Sequence, residues 1–143
     1  MYLHRRGEDG AREVLLLRRV SRGGRFWQGV TGAPEWGEPD EQAAVREVRE
    51  ETGFDVEIVP LDFRYELHRK EDDAELWDRL YEPGTKIIPE ECYTAEVPSG
   101  SEPTIDPVEH DEYRWCSFEE ADALLKWEHN REALAVLGEK LST

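Results

Sequence analysis

The residues able to do chemistry crowd into one stretch, Gly32 to Phe54, where four glutamates and two arginines fall between Glu41 and Glu51. Residues three and four apart stack on one face of a helix. Glu47, Glu50 and Glu51 therefore share a face, while Ala44, Val45 and Val48 fall on a different, apolar stripe. The segment can bury one side and hold its carboxylates out on the other. Like charges at these spacings repel, so something positive should sit among them. A cluster of hard oxygen ligands is the usual setting for Mg²⁺ or Mn²⁺, and these ions bring phosphate-bearing substrates with them. The competing reading is a solvated acidic face neutralised by its own arginines.

Local chemistry supplies a loop, a helix and a stop around this cluster. Ala33-Pro34-Glu35-Trp36-Gly37 fixes an irregular path. Pro39 suits a first helical turn, Asp40 and Glu41 sit near the helix's positive end, and Gly53 ends it. Upstream, Met1 to Arg6 reads as a short strand, Gly7 to Gly10 as a turn, and Val14 to Arg19 as a second strand. The unbroken apolar run Val14 to Leu17 predicts cover on both faces. The first strand is brief, as it would be if the sequence began inside a longer one. Ser21 to Arg25 reads as a loop, and Phe26 to Gly32 as the strand that delivers the chain to the cluster. Arg18, Arg19, Arg22 and Arg25 either capture phosphate with guanidinium forks or balance acidic neighbours.

Downstream, Val56 to Val59 predicts a strand broken at Pro60, and Leu61 to Leu67 a strand with apolar residues at alternate places. His68 to Glu75 reads as a solvated hairpin loop, Leu76 to Tyr81 as a strand or short helical turn, Glu91 to Val97 as a strand, and Val108 to Cys116 as a loop entering one. Ser117 and Glu120 form a capping box for a helix from Phe118 to Trp127. Asn130 caps a last helix, Arg131 to Leu141. Strands, a helix, strands and two helices predict an α/β fold with helices on both sides of a mixed sheet.

At 143 residues the chain fits a single domain, 1–143. A net charge of −16 argues against a nucleic-acid partner, because a phosphate backbone needs a basic surface. No apolar run approaches the roughly 20 residues of a membrane span, and the charged opening residues give no secretion signal. Cys92 and Cys116 are too few for a disulfide framework and lack zinc-ligand spacing, so they read as buried thiols in a reducing cytoplasm.

The frame Gly32, five residues, Glu38, seven residues, Arg46-Glu47-Val48, one residue, Glu50-Glu51, one residue, Gly53-Phe54 resembles the Nudix box position for position. Ala33 stands where many such boxes have a second glycine. The resemblance implies an α/β/α sandwich and the hydrolysis of a phosphoanhydride in a nucleoside diphosphate derivative, with Mg²⁺ or Mn²⁺. By carry-over, Glu47, Glu50 and Glu51 are metal ligands, with Glu50 or Glu51 also the base or water-orienting group. Arg46 orients a box glutamate, Glu38 braces the loop, and Gly32 lets the backbone approach metal or phosphate. Glu109, ahead of Trp115, is the expected later carboxylate ligand, and Glu112 the runner-up. His110 has the pKa of a base but as a lone loop histidine also reads as a bystander.

Shorter matches point further: Phe26 to Gly32, Tyr81 to Gly84, Glu109-His110 before Tyr113-Arg114-Trp115, and Lys126-Trp127 before Asn130-Arg131 are similar to bacterial dihydroneopterin triphosphate pyrophosphohydrolases. That similarity implies a pterin triphosphate cut to the monophosphate and pyrophosphate. Dinucleoside polyphosphates and other nucleotide derivatives are the alternative substrates, and a Nudix-fold ligand-binding module without turnover the alternative class. The box keeps all its glutamates, which counts against the module. The expected partner is a small polyphosphate, met by Arg18 and Arg19, with Trp27, Trp36, Trp77 or Tyr81 either stacking on its flat ring or filling the core.

Overall fold

The computed structural model describes residues 1–21, 24–31, 37–70 and 74–142, with the backbone alone at 74, 76 and 80. Its sheet is built around β2, Arg12–Ser21, which forms an antiparallel hairpin with β1, Tyr2–Arg6. Strand β6, His110–Cys116, pairs β2 from Val14 to Arg19, and β3, Gly24–Gln28, pairs it from Leu17 to Ser21. A strand has two edges, so β1 and β3 lie end to end along the edge opposite β6. Parallel to β1 runs β5, Ile87–Glu96, and β4, Val59–His68, pairs β5 antiparallel at the sheet margin.

The unbroken run on β2 is covered on both faces, as it predicts. Val14 and Leu16 pack with Cys116, Leu134 and Leu137, while Leu15 and Leu17 pack with Leu3, Val48 and Ala95. The second face is closed by α1, Asp40–Thr52, through Val48. The first is closed by α3, Phe118–Leu124, and α4, Glu128–Ser142, through Ala121, Leu134 and Leu137. Between β4 and β5 the chain forms α2, Ala74–Leu80. The result is the expected α/β/α sandwich on a mixed sheet. Gly53 ends α1 at φ 79°, a left-handed conformation that favours glycine, and its amide donates to the Arg49 carbonyl. Ser117 and Glu120 make the reciprocal capping box at 3.1 and 3.2 Å. Cys92 and Cys116 are free and buried.

Several boundaries differ from the sequence reading. Ser21 and Arg25 belong to β2 and β3. No strand forms over Val56 to Ile58, and Pro60 lies inside β4 without breaking it. An edge strand needs no amide on its open side, and an irregularity between Pro60 and Arg64, with Asp62 at φ 59°, absorbs the misfit. Strand β5 starts at Ile87 and tolerates Pro89 because β1 pairs it only from Thr94. Helix α3 stops at Leu124, and α4 starts at Glu128, so Asn130 sits in its first turn and is not the cap. Leu76 to Tyr81 proves helical up to Leu80. Of the charge run from His68 to Glu75, residues 71–73 lie outside the described residues, as do Arg22 and the box loop from Gly32 to Trp36.

Candidate active site

The buried stripe of α1 includes Val48 at 0% exposure, and one turn on, at the same angle, comes Glu51. Glu51 is therefore turned inward, at 3% exposure, and does not share a solvent face with Glu50, which is exposed. This corrects the expectation that all three carboxylates are held out. Its neighbours are equally dry. His110, at 0% exposure, faces it with Nε2 3.6 Å from Glu51 Oε1, and neither side chain makes a hydrogen bond of normal geometry among the described residues. Burial, then the adjacent Glu47 carboxyl, pushes the Glu51 pKa up to about 9. Burial, then Arg19, pulls the His110 pKa down, so the imidazole is neutral. His110 is thus a buried strand residue and not a loop bystander, placed by the irregularity where β6 meets Arg18 and Arg19. Only that long-range irregularity decides its direction, so no local signal marks it.

Arg46 gathers the other box carboxylates. Nε and Nη2 hold the two oxygens of Glu38 at 2.9 Å each, and Nη1 reaches Glu47 at 3.0 Å and Glu50 at 3.1 Å. A planar fork can satisfy one carboxylate bidentately and still offer its other edge. The loop carrying Glu38 is thereby tied to the helix, as the resemblance implied. Burial raises the Glu47 pKa, against the pull of Arg46.

Beside Glu47 opens a shallow cleft continuous with solvent. Met1, Val30 and Thr31 line it on one side and Glu90 to Tyr93 of β5 on the other. Asp40, Ala43 and Glu47 line it from the α1 side. A smaller adjoining pocket, sharing Thr31, Tyr65, Cys92 and Tyr93, extends to Asn130 and Ala133 of α4. Between them the two pockets touch residues of α1 and of α4. The sequence reading singled out none of Tyr65, Glu90 and Tyr93, because only the β4–β5 register brings them to the cleft.

The remaining candidates are dispersed. Alternation along β2 puts Arg19 on the α1 side, 3.8 Å from Glu109, and Arg18 on the α3–α4 side. There Arg18 is held by Asp111 at 2.8 Å and Glu112 at 3.2 Å, and Trp27 lies between the Arg18 and Arg114 guanidiniums at 5.8 and 5.1 Å. Neither Arg18 nor Trp27 lines the cleft. Arg25 also pairs with Asp111. Trp77 is buried against Tyr81, 5.1 Å between ring centres, away from the cleft. Gly32 and Trp36 lie outside the described residues.

Among the described residues, no three His, Cys, Asp or Glu side chains already converge as they do around a bound ion. The donor set nevertheless suits a hard cation. Glu51 is a buried carboxylate without a hydrogen-bond donor among the described residues, with the half-buried Glu47 one turn earlier on the wall of a cleft that Asp40, Glu90 and Glu91 also line.

The chain matches the NUDIX domain family over residues 3–137 and belongs to the Nudix hydrolases. It is 34% identical over 133 residues to the dihydroneopterin triphosphate diphosphatase of Escherichia coli K12, covering 89% of this chain and 83% of that one. It is 32% identical over 127 residues to the asymmetrical bis(5′-nucleosyl)-tetraphosphatase of Sus scrofa, covering 89% and 79%. A match of 35% identity over 124 residues to an octanoyltransferase of Myxococcus xanthus takes in 87% of this chain, which spans about a third of that protein's length (31%). A Nudix hydrolase crystal structure from Listeria monocytogenes superposes with a TM-score of 0.80 at 26% identity, covering 99% of this chain and 90% of that one. No described helix is long and apolar enough to cross a membrane.

Proposed function

We propose that this chain is an Mg²⁺- or Mn²⁺-dependent pyrophosphohydrolase that cuts dihydroneopterin triphosphate to the monophosphate and pyrophosphate. The observation that carries the metal-dependent reaction is the buried Glu51, whose oxygens find no hydrogen-bond partner among the described residues, beside Glu47 on the wall of the cleft. The pterin is supported by the likeness to the E. coli diphosphatase over most of both chains. Glu47, Glu50 and Glu51 would hold the metal, with Glu109 joining from the segment before β6. When bound, the metal neutralises phosphate charge and acidifies water. Water adds to phosphorus, the bridging P–O bond breaks, and the water's proton passes to Glu50 or Glu51. Arg46, fixed by Glu38, positions Glu47 and Glu50. Arg19, near Glu109, stands where it can meet phosphate, and Gly32 lets the backbone approach it. Arg18 and Trp27 would take part only through an extension of the substrate onto the other face. The two free thiols suit a reducing cytoplasm, and the acidity of the chain suits a small substrate over nucleic acid.

The test is a panel of phosphoanhydrides with Mg²⁺, reading pyrophosphate and phosphate release, alongside Glu50→Gln and Glu51→Gln. Fast pyrophosphate release from dihydroneopterin triphosphate, lost in both variants, is the expected result. No turnover of any member would remove the enzyme reading. The likeness to the pig tetraphosphatase favours a second substrate class, dinucleoside polyphosphates, and equal turnover of diadenosine tetraphosphate would displace the pterin.

A further inference from the structure

Among the described residues, four buried side-chain polar atoms find no hydrogen-bond partner, and all four belong to Glu51 and His110. Folded chains leave few such groups unpaired, and each exception asks for a reason, such as a place in the chemistry. Glu51 has one in the cation it would hold. His110 has no role in the reaction above, yet the backbone is shaped to bring it there. Along β6, Trp115 and Tyr113 face the α1 layer, while Cys116 and Glu112 face the layer of α3 and α4. Strict alternation would send His110 to the second face with Glu112. Instead the pairing shifts between Arg18, opposite Glu112, and Arg19, opposite His110, so that Asp111 is the extra residue of a bulge. Asp111 and Glu112 both reach Arg18, at 2.8 and 3.2 Å, and His110 is turned to the α1 side against Glu51. The His110 amide donates to the Asp106 carbonyl and the Val20 amide to the Glu109 carbonyl, at 2.9 Å each, which holds the backbone on both sides of that turn.

His110 Nε2 lies 3.6 Å from Glu51 Oε1, about half an ångström beyond hydrogen-bond length. We propose that His110 is a positioning residue whose Nε2–H donates to Oε1 of the ionised Glu51 and leaves the second oxygen of that carboxylate for the cation. This rests on the metal-dependent reading of the site and deepens it. The other tautomer fails on its chemistry. With the proton on Nδ1, a lone pair would face an anionic oxygen and the Nδ1–H would be buried without an acceptor. A carboxylate that ligates a metal is itself held by hydrogen bonds, which fix its orientation toward the ion.

The test follows Mn²⁺ binding, without substrate, by electron paramagnetic resonance on wild type, His110→Leu and His110→Gln, the site in question being the one lost in Glu51→Gln. His110→Leu fills the space without a donor, and His110→Gln restores an amide N–H near the Nε2 position. Mn²⁺ affinity should fall about 10- to 100-fold in His110→Leu, and His110→Gln should recover most of the loss. A ring that only packs would leave both variants at the wild-type affinity, and that outcome overturns the proposal. So does a folded His110→Gln that binds as weakly as His110→Leu, because ring shape and not donation would then matter. The native protein gives a second readout should a variant fail to fold. With ¹⁵N-labelled imidazoles assigned through their own backbones, saturating Mg²⁺ should show His110 protonated at Nε2 with that proton protected from exchange. Protonation at Nδ1 refutes the contact. Tight Mn²⁺ binding with no phosphoanhydride hydrolysed would remove the pyrophosphohydrolase reading alone, and the affinity ratio would still decide on His110. If wild type binds neither ion, the metal reading falls and the role of His110 falls with it.

Discussion

Replacing Glu51 by Gln should abolish turnover and at the same time stabilise the metal-free protein. The group is buried at 3% exposure, has no hydrogen-bond partner among the described residues, and has its pKa raised from 4.5 to about 9. A carboxyl whose folded pKa lies above its unfolded value favours folding fully below about 4.5 and loses that contribution as pH rises toward 9. At about 1.4 kcal/mol per pH unit, the loss at pH 7 is on the order of 3 kcal/mol, or about 10 °C in melting temperature for a chain this size. Gln carries no charge to titrate and escapes the loss. Thermal melts in EDTA from pH 5 to pH 9 should show wild type falling with pH and Glu51→Gln nearly flat, the curves separating above pH 5. Saturating Mg²⁺ should then restore wild type at pH 8, because binding to the native state alone stabilises it, and leave the variant unmoved. Parallel pH profiles, or equal Mg²⁺ stabilisation of both proteins, would refute the view of Glu51 as a buried carboxylate awaiting a cation.

Three further outcomes follow from contacts elsewhere. Arg46→Lys replaces a fork holding Glu38 at 2.9 Å twice over with a single point charge, and should weaken the Mg²⁺ dependence of turnover by about 10- to 100-fold, read as the half-saturating Mg²⁺ concentration. Ser117→Ala removes one half of the α3 capping box and should cost about 1 kcal/mol in urea unfolding without altering KM. Gly29→Ala would put a Cβ 2.3 Å from the Met1 carbonyl oxygen and 3.0 Å from the Tyr2 ring. The backbone beside the cleft must shift, so a loss of about 1–3 kcal/mol by chemical denaturation should accompany a raised KM.

The sequence by itself determined whatever is decided within a turn or two of helix or strand. Gly53 closing α1, Ser117 and Glu120 capping α3, and the unbroken run from Val14 to Leu17 are each settled by neighbours a few residues away, and each is found where local chemistry puts it, while Pro39 stands one residue ahead of the first helical turn, as its N-cap. The spacing of Glu47, Glu50 and Glu51 likewise put three carboxylates within little more than one turn of one helix. Which of the three turns inward was not legible, because burial is set by the sheet that α1 lies on: Glu51 follows Val48 onto His110, and His110 points there only through the irregular pairing of β6 with β2. Pro60 was misread for the same reason, since its cost depends on whether β4 has one neighbour or two. The cleft is wholly tertiary. Residues as distant as Thr31, Glu47, Tyr65 and Glu90 line it together because strand register, which no local segment encodes, aligns them.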